Sequence, residues 1–184
     1  MNVRLTTAAP ILATCFLFLA QALCAQDSVK VGDRAPDFSL PGATKDSIIK
    51  AGVRLGDLVG RNNIILAFYP ADWSGGCTKE MCTMRDNFAS LSDLGADVFG
   101  VSGDYVYSHH EWAKYHNLQF TLLSDHNHAV AKAYQSYNPQ SGLNRRTVYL
   151  VDRTGKVAYI DRAYDPGSDT SFNKLKAELQ RIKK

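Results

Sequence analysis

The sequence predicts an α/β domain built on a central mixed sheet flanked by helices. Three observations carry that prediction. The run "IILAFY" (64–69) is apolar throughout, as in a strand covered on both faces. A segment with apolar residues at helical spacing follows it, and then a second apolar run, "ADVFGVS" (96–102). Strand, helix, strand of this length is a βαβ unit, which pairs its strands in parallel through a right-handed crossover. Further on, "TVYLVD" (147–152) and "KVAYI" (156–160) flank the short turn "RTG", where Gly155 supplies a positive φ. That is an antiparallel hairpin, so the sheet has both kinds of pairing.

The elements follow in order. Residues 1–25 read as a targeting segment: Arg4 is the positive flank, "APILATCFLFLA" the apolar stretch, and "AQA" or "LCA" the small-residue cleavage site, with a cut expected after Ala25. The apolar stretch is short for a membrane span and contains Pro10 and Thr14. An uncleaved anchor is the competing reading, and Leu23 argues against a lipoprotein at Cys24. Residues 26–184 form the folded domain. Turn residues Gly32, Pro36, Pro41 and Gly42 make 26–60 an irregular arm with room for a short hairpin. After strand 64–69, Met81, Met84, Phe88 and Leu91 mark one helix that Gly95 closes. Strand 96–102 is followed by helix 107–116, strand 120–123 and helix 127–137. The hairpin comes next, and then a last helix from Ser171 to Lys184 with Phe172, Leu175, Leu179 and Ile182 on one face. A βαβ unit, a later hairpin and a terminal helix make the order of a thioredoxin-like fold.

Composition narrows the function. The 184 residues are 45% hydrophobic and 21% charged, enough for one globular core. The net charge is only +3 and basic residues are scattered apart from "RIKK" at the end, so no nucleic-acid surface is indicated. Export implies a periplasmic or secreted protein with no stable membrane association after cleavage. Cys15 and Cys24 then leave with the targeting segment, and Cys77 and Cys82 remain where disulfides are permitted.

Those two cysteines lie in "PADWSGGCTKEMC" (70–82), at a strand-to-helix turn. A metal clip, a structural disulfide and a redox pair are the three readings. Helix N-termini leave N–H groups unpaired and carry partial positive charge, which favours a thiolate at Cys77. The turn also falls at the carboxyl edge of the sheet, where open α/β folds place their sites. Cys82 is five residues along the same helix, a rise of about 7.5 Å. A disulfide wants Cα atoms closer than about 7 Å, so the pair bonds only if the first turn unwinds, which Gly75 and Gly76 would ease. That geometry suits an attacking thiol with a resolving partner better than a static staple.

"PADWSGGC" resembles the peroxiredoxin motif Pro-x3-Thr-x2-Cys, with Pro70, Ser74 and Cys77 in its places. "GDRAPDF" (32–38) resembles the family's N-terminal motif, and "RTVYLVD" (146–152) the strand with its active-site arginine. "CTKEMC" is similar to the bacterioferritin-comigratory-protein/PrxQ subgroup. The resemblance implies a peroxidatic Cys77 and a resolving Cys82. It implies that Arg146 stabilises thiolate and peroxide, Pro70 shields the site, the Ser74 hydroxyl orients the peroxide, and Glu80 holds the arginine. It further implies a peroxide substrate, a thioredoxin-like dithiol reductant, a monomer, and no metal or organic cofactor. Two features depart from the family pattern: Ser74 stands where Thr is usual, and Gly75-Gly76 replaces a bulkier pair. Arg145 adjoins Arg146, and register with Asp152 assigns the role to Arg146.

His109, His110, His116, His126 and His128 are read as exposed helix and loop positions rather than metal ligands. Trp73 either lines the peroxide entrance or faces a packed neighbour or partner. Two other functions compete. An exported thiol–disulfide oxidoreductase on the same fold normally uses Cys-x2-Cys, and a copper carrier Cys-x3-Cys; neither spacing is present.

Overall fold

A computed structural model describes residues 28–183. The predicted targeting segment, with Cys15 and Cys24, lies outside the described residues. The strands are β1 (Ser39–Ala43), β2 (Ile48–Arg54), β3 (Asn63–Phe68), β4 (Ala96–Ser102), β5 (Thr121–Ser124), β6 (Tyr137–Asn138), β7 (Leu143–Asn144), β8 (Thr147–Val151) and β9 (Val157–Asp161). The helices are α1 (Leu55–Leu58), α2 (Gly75–Asp86), α3 (Phe88–Asp93), α4 (Val106–Tyr115), α5 (Ala129–Ala133) and α6 (Asp169–Ile182). Seven strands form one sheet in the order β2-β1-β5-β4-β3-β8-β9, and β6 and β7 form a separate ribbon. β3–β4 and β4–β5 pair in parallel; the other pairs in the main sheet are antiparallel. This is the mixed, helix-flanked sheet of a thioredoxin-like α/β fold. No helix among the described residues is long and apolar enough to cross a membrane.

β3 is central, and every residue in it is buried. Alternation sends Ile65, Ala67 and then Tyr69 to one face, where they meet Cys77, Met81 and Met84 of α2, Trp112 of α4 and Leu175 of α6. Ile64, Leu66 and Phe68 go to the other face, against Phe38 of the N-terminal arm, Val130 of α5, and Tyr134. Each Ile, Leu, Val, Phe or Met among them contributes about 1.5–3 kcal/mol when taken fully out of water. α2 sits close to the sheet because Gly100 of β4 has no side chain: a Cβ there would lie 3.2 Å from Met81 Sδ and 2.7 Å from Leu122 Cδ2.

The structure corrects four of these elements. The arm contributes strands to the main sheet through the β1–β2 hairpin, with β1 pairing to β5 at Gly42 and Ala43. The single helix expected up to Gly95 is two. Asn87 (φ −104°, ψ 6°) separates α2 from α3, and both its main-chain N–H and its side-chain amide donate to Thr83 O. Periodicity continues across the break, which is why the sequence hides it; Gly95 closes α3 at φ +73°. The helix expected at 127–137 is only α5. Asp125 starts it by accepting from the N–H groups of Val130 (3.2 Å) and Ala131 (2.7 Å), and Gln135, at φ 56°, follows its end. Tyr137 therefore belongs to the β6–β7 ribbon. The last helix starts earlier than expected, where Ser168 Oγ accepts from Thr170 N–H at 3.2 Å.

Candidate active site

The site forms where β3 ends. Tyr69 N–H still pairs with Val101 O (3.1 Å), and then the chain turns through Pro70, Ala71, Asp72 and Trp73. Trp73 takes a left-handed φ of 61°. Ser74 (φ −81°, ψ 142°) is extended and precedes the first residue of α2. Its hydroxyl donates to Ala71 O (3.1 Å), so its proton is used within the loop, and no group among the described residues donates to its lone pairs. Cys77 is the third residue of α2. Helix ends leave the first N–H groups without intrahelical acceptors, and Cys77 lies in that turn. Its side chain is fully buried, and Cys77 and Cys82 are both free thiols.

Arg146, just before β8, extends its guanidinium over this turn. Nη1 donates to Glu80 Oε2 at 2.7 Å, with the Glu80 side chain fully buried and that of Arg146 23% exposed. Burial pushes the Glu80 carboxyl up to about 7, with Arg146 pulling against it. Glu80 Oε1 has no hydrogen-bond partner among the described residues. Burial alone would lower the Arg146 value. The hydrogen bond to Glu80 and the charge and hydrogen bond of Cys77 outweigh it and raise the value. The guanidinium also explains the glycine pair. A Cβ on Gly76 would stand 2.6 Å from Arg146 Nη2, whereas one on Gly75 would meet nothing within 4 Å. Gly76 is the space in which the clamped arginine lies. Arg145, in the two-residue link between β7 and β8, is exposed. The structure thus brings Cys77, Glu80 and Arg146 together, with Ser74 at the entry to the turn and Pro70 half-buried at the end of β3.

A second, buried network fixes the loop from behind. Tyr69 Oη donates to Asp72 Oδ1 (2.8 Å), and Ser108 Oγ donates to Asp72 Oδ2 (2.7 Å). His109 Nδ1 lies 2.9 Å from Asp72 Oδ2, and its Nε2 lies 3.2 Å from Leu123 O. Asp72 N–H donates to Asp104 Oδ2 (2.9 Å), which also accepts from Ser102 Oγ (2.7 Å). The loop is thereby tied to the end of β4 and to α4. His109 corrects the reading of all five histidines as exposed: it is fully buried, and of the five His126 is exposed, while His110, His116 and His128 are partly covered. The signal was present, because Trp112 and Ala113 follow His109 at i+3 and i+4 on the buried face of α4. Asp72, Ser108 and Tyr69 carried no comparable signal in sequence. Trp73 is 54% exposed, donates from Nε1 to Ser108 Oγ (3.2 Å) and rests against Tyr115 with ring centroids 5.7 Å apart.

Cys82 is partly buried on another face of α2, its Sγ 3.9 Å from His116 Nδ1. Chemically, the site offers a buried thiol at a helix N-terminus, a fixed guanidinium beside it, and a second thiol one helical stretch away.

The chain is similar to known proteins over most of its length. Residues 31–160 match the model of the AhpC/TSA family. Peroxiredoxin Bcp of Bacillus subtilis is 33% identical over 136 residues, 71% of this chain and 83% of its own. Chloroplastic peroxiredoxin Q of Oryza sativa subsp. japonica is 40% identical over 133 residues, 72% of this chain and 58% of that longer protein. The crystal structure of peroxidoxin BcpB from Mycobacterium tuberculosis superposes with a TM-score of 0.74 at 30% identity, covering 84% of this chain and 98% of that one.

Proposed function

The chain belongs to the AhpC/TSA family and is a peroxiredoxin of the Bcp/Q type, and on that premise we propose that it reduces hydrogen peroxide and organic hydroperoxides through Cys77 and Cys82. The Cys77 thiolate attacks one peroxide oxygen, the O–O bond breaks, and water or an alcohol leaves after protonation. Cys77 is left as a sulfenic acid. Arg146 donates to the peroxide and offsets the negative charge that moves from sulfur to oxygen, a role that works best with donors held in place beforehand. Glu80 holds it. The open lone pairs of Ser74 accept from the peroxide O–H, and Pro70 shields the reacting sulfur from bulk water. Cys82 then condenses with the sulfenic acid to give an intramolecular disulfide, which a thioredoxin-like dithiol reduces by exchange. The enzyme works as a monomer, in the periplasm or outside the cell if residues 1–25 direct export, so its reductant works there too.

The observation that carries this reading is the guanidinium of Arg146, fixed by Glu80 at 2.7 Å and lying in the space left by Gly76, one residue from Cys77. Single-turnover mixing of the reduced protein with hydrogen peroxide tests it. One equivalent is expected to disappear rapidly in the wild type and not in Cys77→Ser. Slow consumption, equal in the two, would remove the peroxidase reading and leave the thiol–disulfide oxidoreductase.

A further inference from the structure

The resolving step needs Cys82 to lose a proton, and its surroundings oppose this. Burial pushes the thiol above its ordinary value of 9.0; Arg85 pulls down against that and Asp86 adds to the rise. Near neutral pH the attacking sulfur is therefore protonated. One side chain is placed to accept the proton. His116 follows the last residue of α4 and turns its Nδ1 towards Cys82 Sγ at 3.9 Å, the long end for a thiol hydrogen bond.

His116 is held there by its carbonyl and by two ring contacts. Arg85 Nη1 donates to His116 O at 2.9 Å and ties the residue to α2. Trp112 and Tyr115 meet the ring edge to face, with centroids 5.7 Å and 4.9 Å away. The charged and titratable groups around it are Cys82, Arg85 and Asp86 from α2 and Tyr115 from α4. Beyond them, Lys45 of the β1–β2 turn is bonded to the neighbouring Asn117 (3.0 Å). Burial, and then the charge of Arg85, hold His116 below its ordinary 6.5, so it is neutral and basic at physiological pH. Arg85, Asp86 and Asn117, the neighbours of the pair in chain, line an open groove of about 490 Å³.

We propose that His116 is the general base of the resolving step, taking the proton of Cys82 as its sulfur attacks the oxidised Cys77. The proposal rests on the reading of Cys82 as the resolving cysteine. The electron pair of the Cys82 S–H bond forms the S–S bond, and the S–O bond of the Cys77 sulfenic acid breaks with its pair on oxygen. The thiol proton goes to Nδ1, and the departing hydroxide takes it back through solvent and leaves as water. The peroxide has already supplied the oxidising equivalents. Arg85 has two effects: it keeps the imidazole unprotonated before the step and offsets the thiolate charge during it.

The test is the ratio of two rates in stopped-flow single turnover, disulfide formation over sulfenic acid formation, in wild type and His116→Gln, across pH. Glutamine keeps a polar, similarly sized group but takes no proton. The ratio is expected to fall by about 10²-fold near neutral pH, the scale of general-base assistance. The wild-type resolving rate is expected to rise with pH through an inflection below 6.5. In His116→Gln that inflection disappears, leaving the rise from the thiol's own ionisation above 9.0. A ratio unchanged within about twofold, or a fall with the lower inflection retained, overturns the proposal, since a merely structural role would leave the pH profile in place. If instead the wild type forms no Cys77–Cys82 bond, the resolving role of Cys82 has failed, and this outcome is distinct from the other two.

Discussion

Glu80 is the residue on which activity and stability meet. Its carboxyl is pushed up to about 7 from an ordinary 4.5, chiefly by burial. The folded protein therefore keeps a proton that the unfolded chain releases between those values. The stabilising contribution is fully present below about pH 4.5 and is lost as pH rises through 7. Ionisation also strengthens the hold on Arg146, so the arginine clamp tightens over the range in which the fold gives up stability. Glutamine at position 80 cannot titrate. The stability of wild type relative to Glu80→Gln, from denaturant midpoints, is expected to fall by roughly 2–4 kcal/mol between about pH 4.5 and 8. A flat difference would mean that the carboxyl is ionised throughout. At this scale the motif residues were legible, because Cys77, Glu80 and Arg146 sit in recognisable short frames. Asp72 and His109 were not: they lie 37 positions apart and are brought together only when α4 packs against the end of β3. His116 was hidden for the same reason, since its partner, Cys82, is on α2.

At the scale of the element, the first turn of α2 must hold Cys77 buried and then release it. While α2 is intact the two cysteines are separated by about 7.5 Å of helical rise, beyond the Cα spacing of a disulfide. Gly75 lowers the cost of opening that turn without being required by sterics, since a Cβ there would meet nothing within 4 Å. Alanine at this position favours the helix by about 0.5–1 kcal/mol. Gly75→Ala is therefore expected to slow disulfide formation roughly two- to fivefold, since the added helix stability must be lost on unwinding. An unchanged or faster rate, by the same stopped-flow assay, would show that the turn stays wound during resolution. The sequence placed Cys77 in the first turn of α2 but started the helix near residue 77, whereas both glycines belong to it. It concealed where α2 ends, because Asn87 interrupts the backbone while the apolar periodicity passes through to Leu91.

At the scale of the whole molecule, the alternating burial of β3 builds two cores and leaves its carboxyl end as the place where the loop, α2 and β8 converge. The parallel core of the sheet and its C-terminal hairpin were readable from apolar runs and from one turn glycine. The β1–β2 hairpin was underweighted because Pro41 and Gly42 look like loop residues. Gly42 is in fact packed closely, a Cβ there coming within 3.0 Å of Thr121 Cγ2, and it carries the antiparallel contact with β5. All of this architecture serves one claim, that the two cysteines of α2 act in sequence within a single chain. The most direct measurement is mass mapping of the reduced protein after one equivalent of hydrogen peroxide, with thiols blocked at quench. The expected product is a chain of monomer mass with Cys77 joined to Cys82. A cross-linked dimer, or Cys77 left unmodified, would contradict the account.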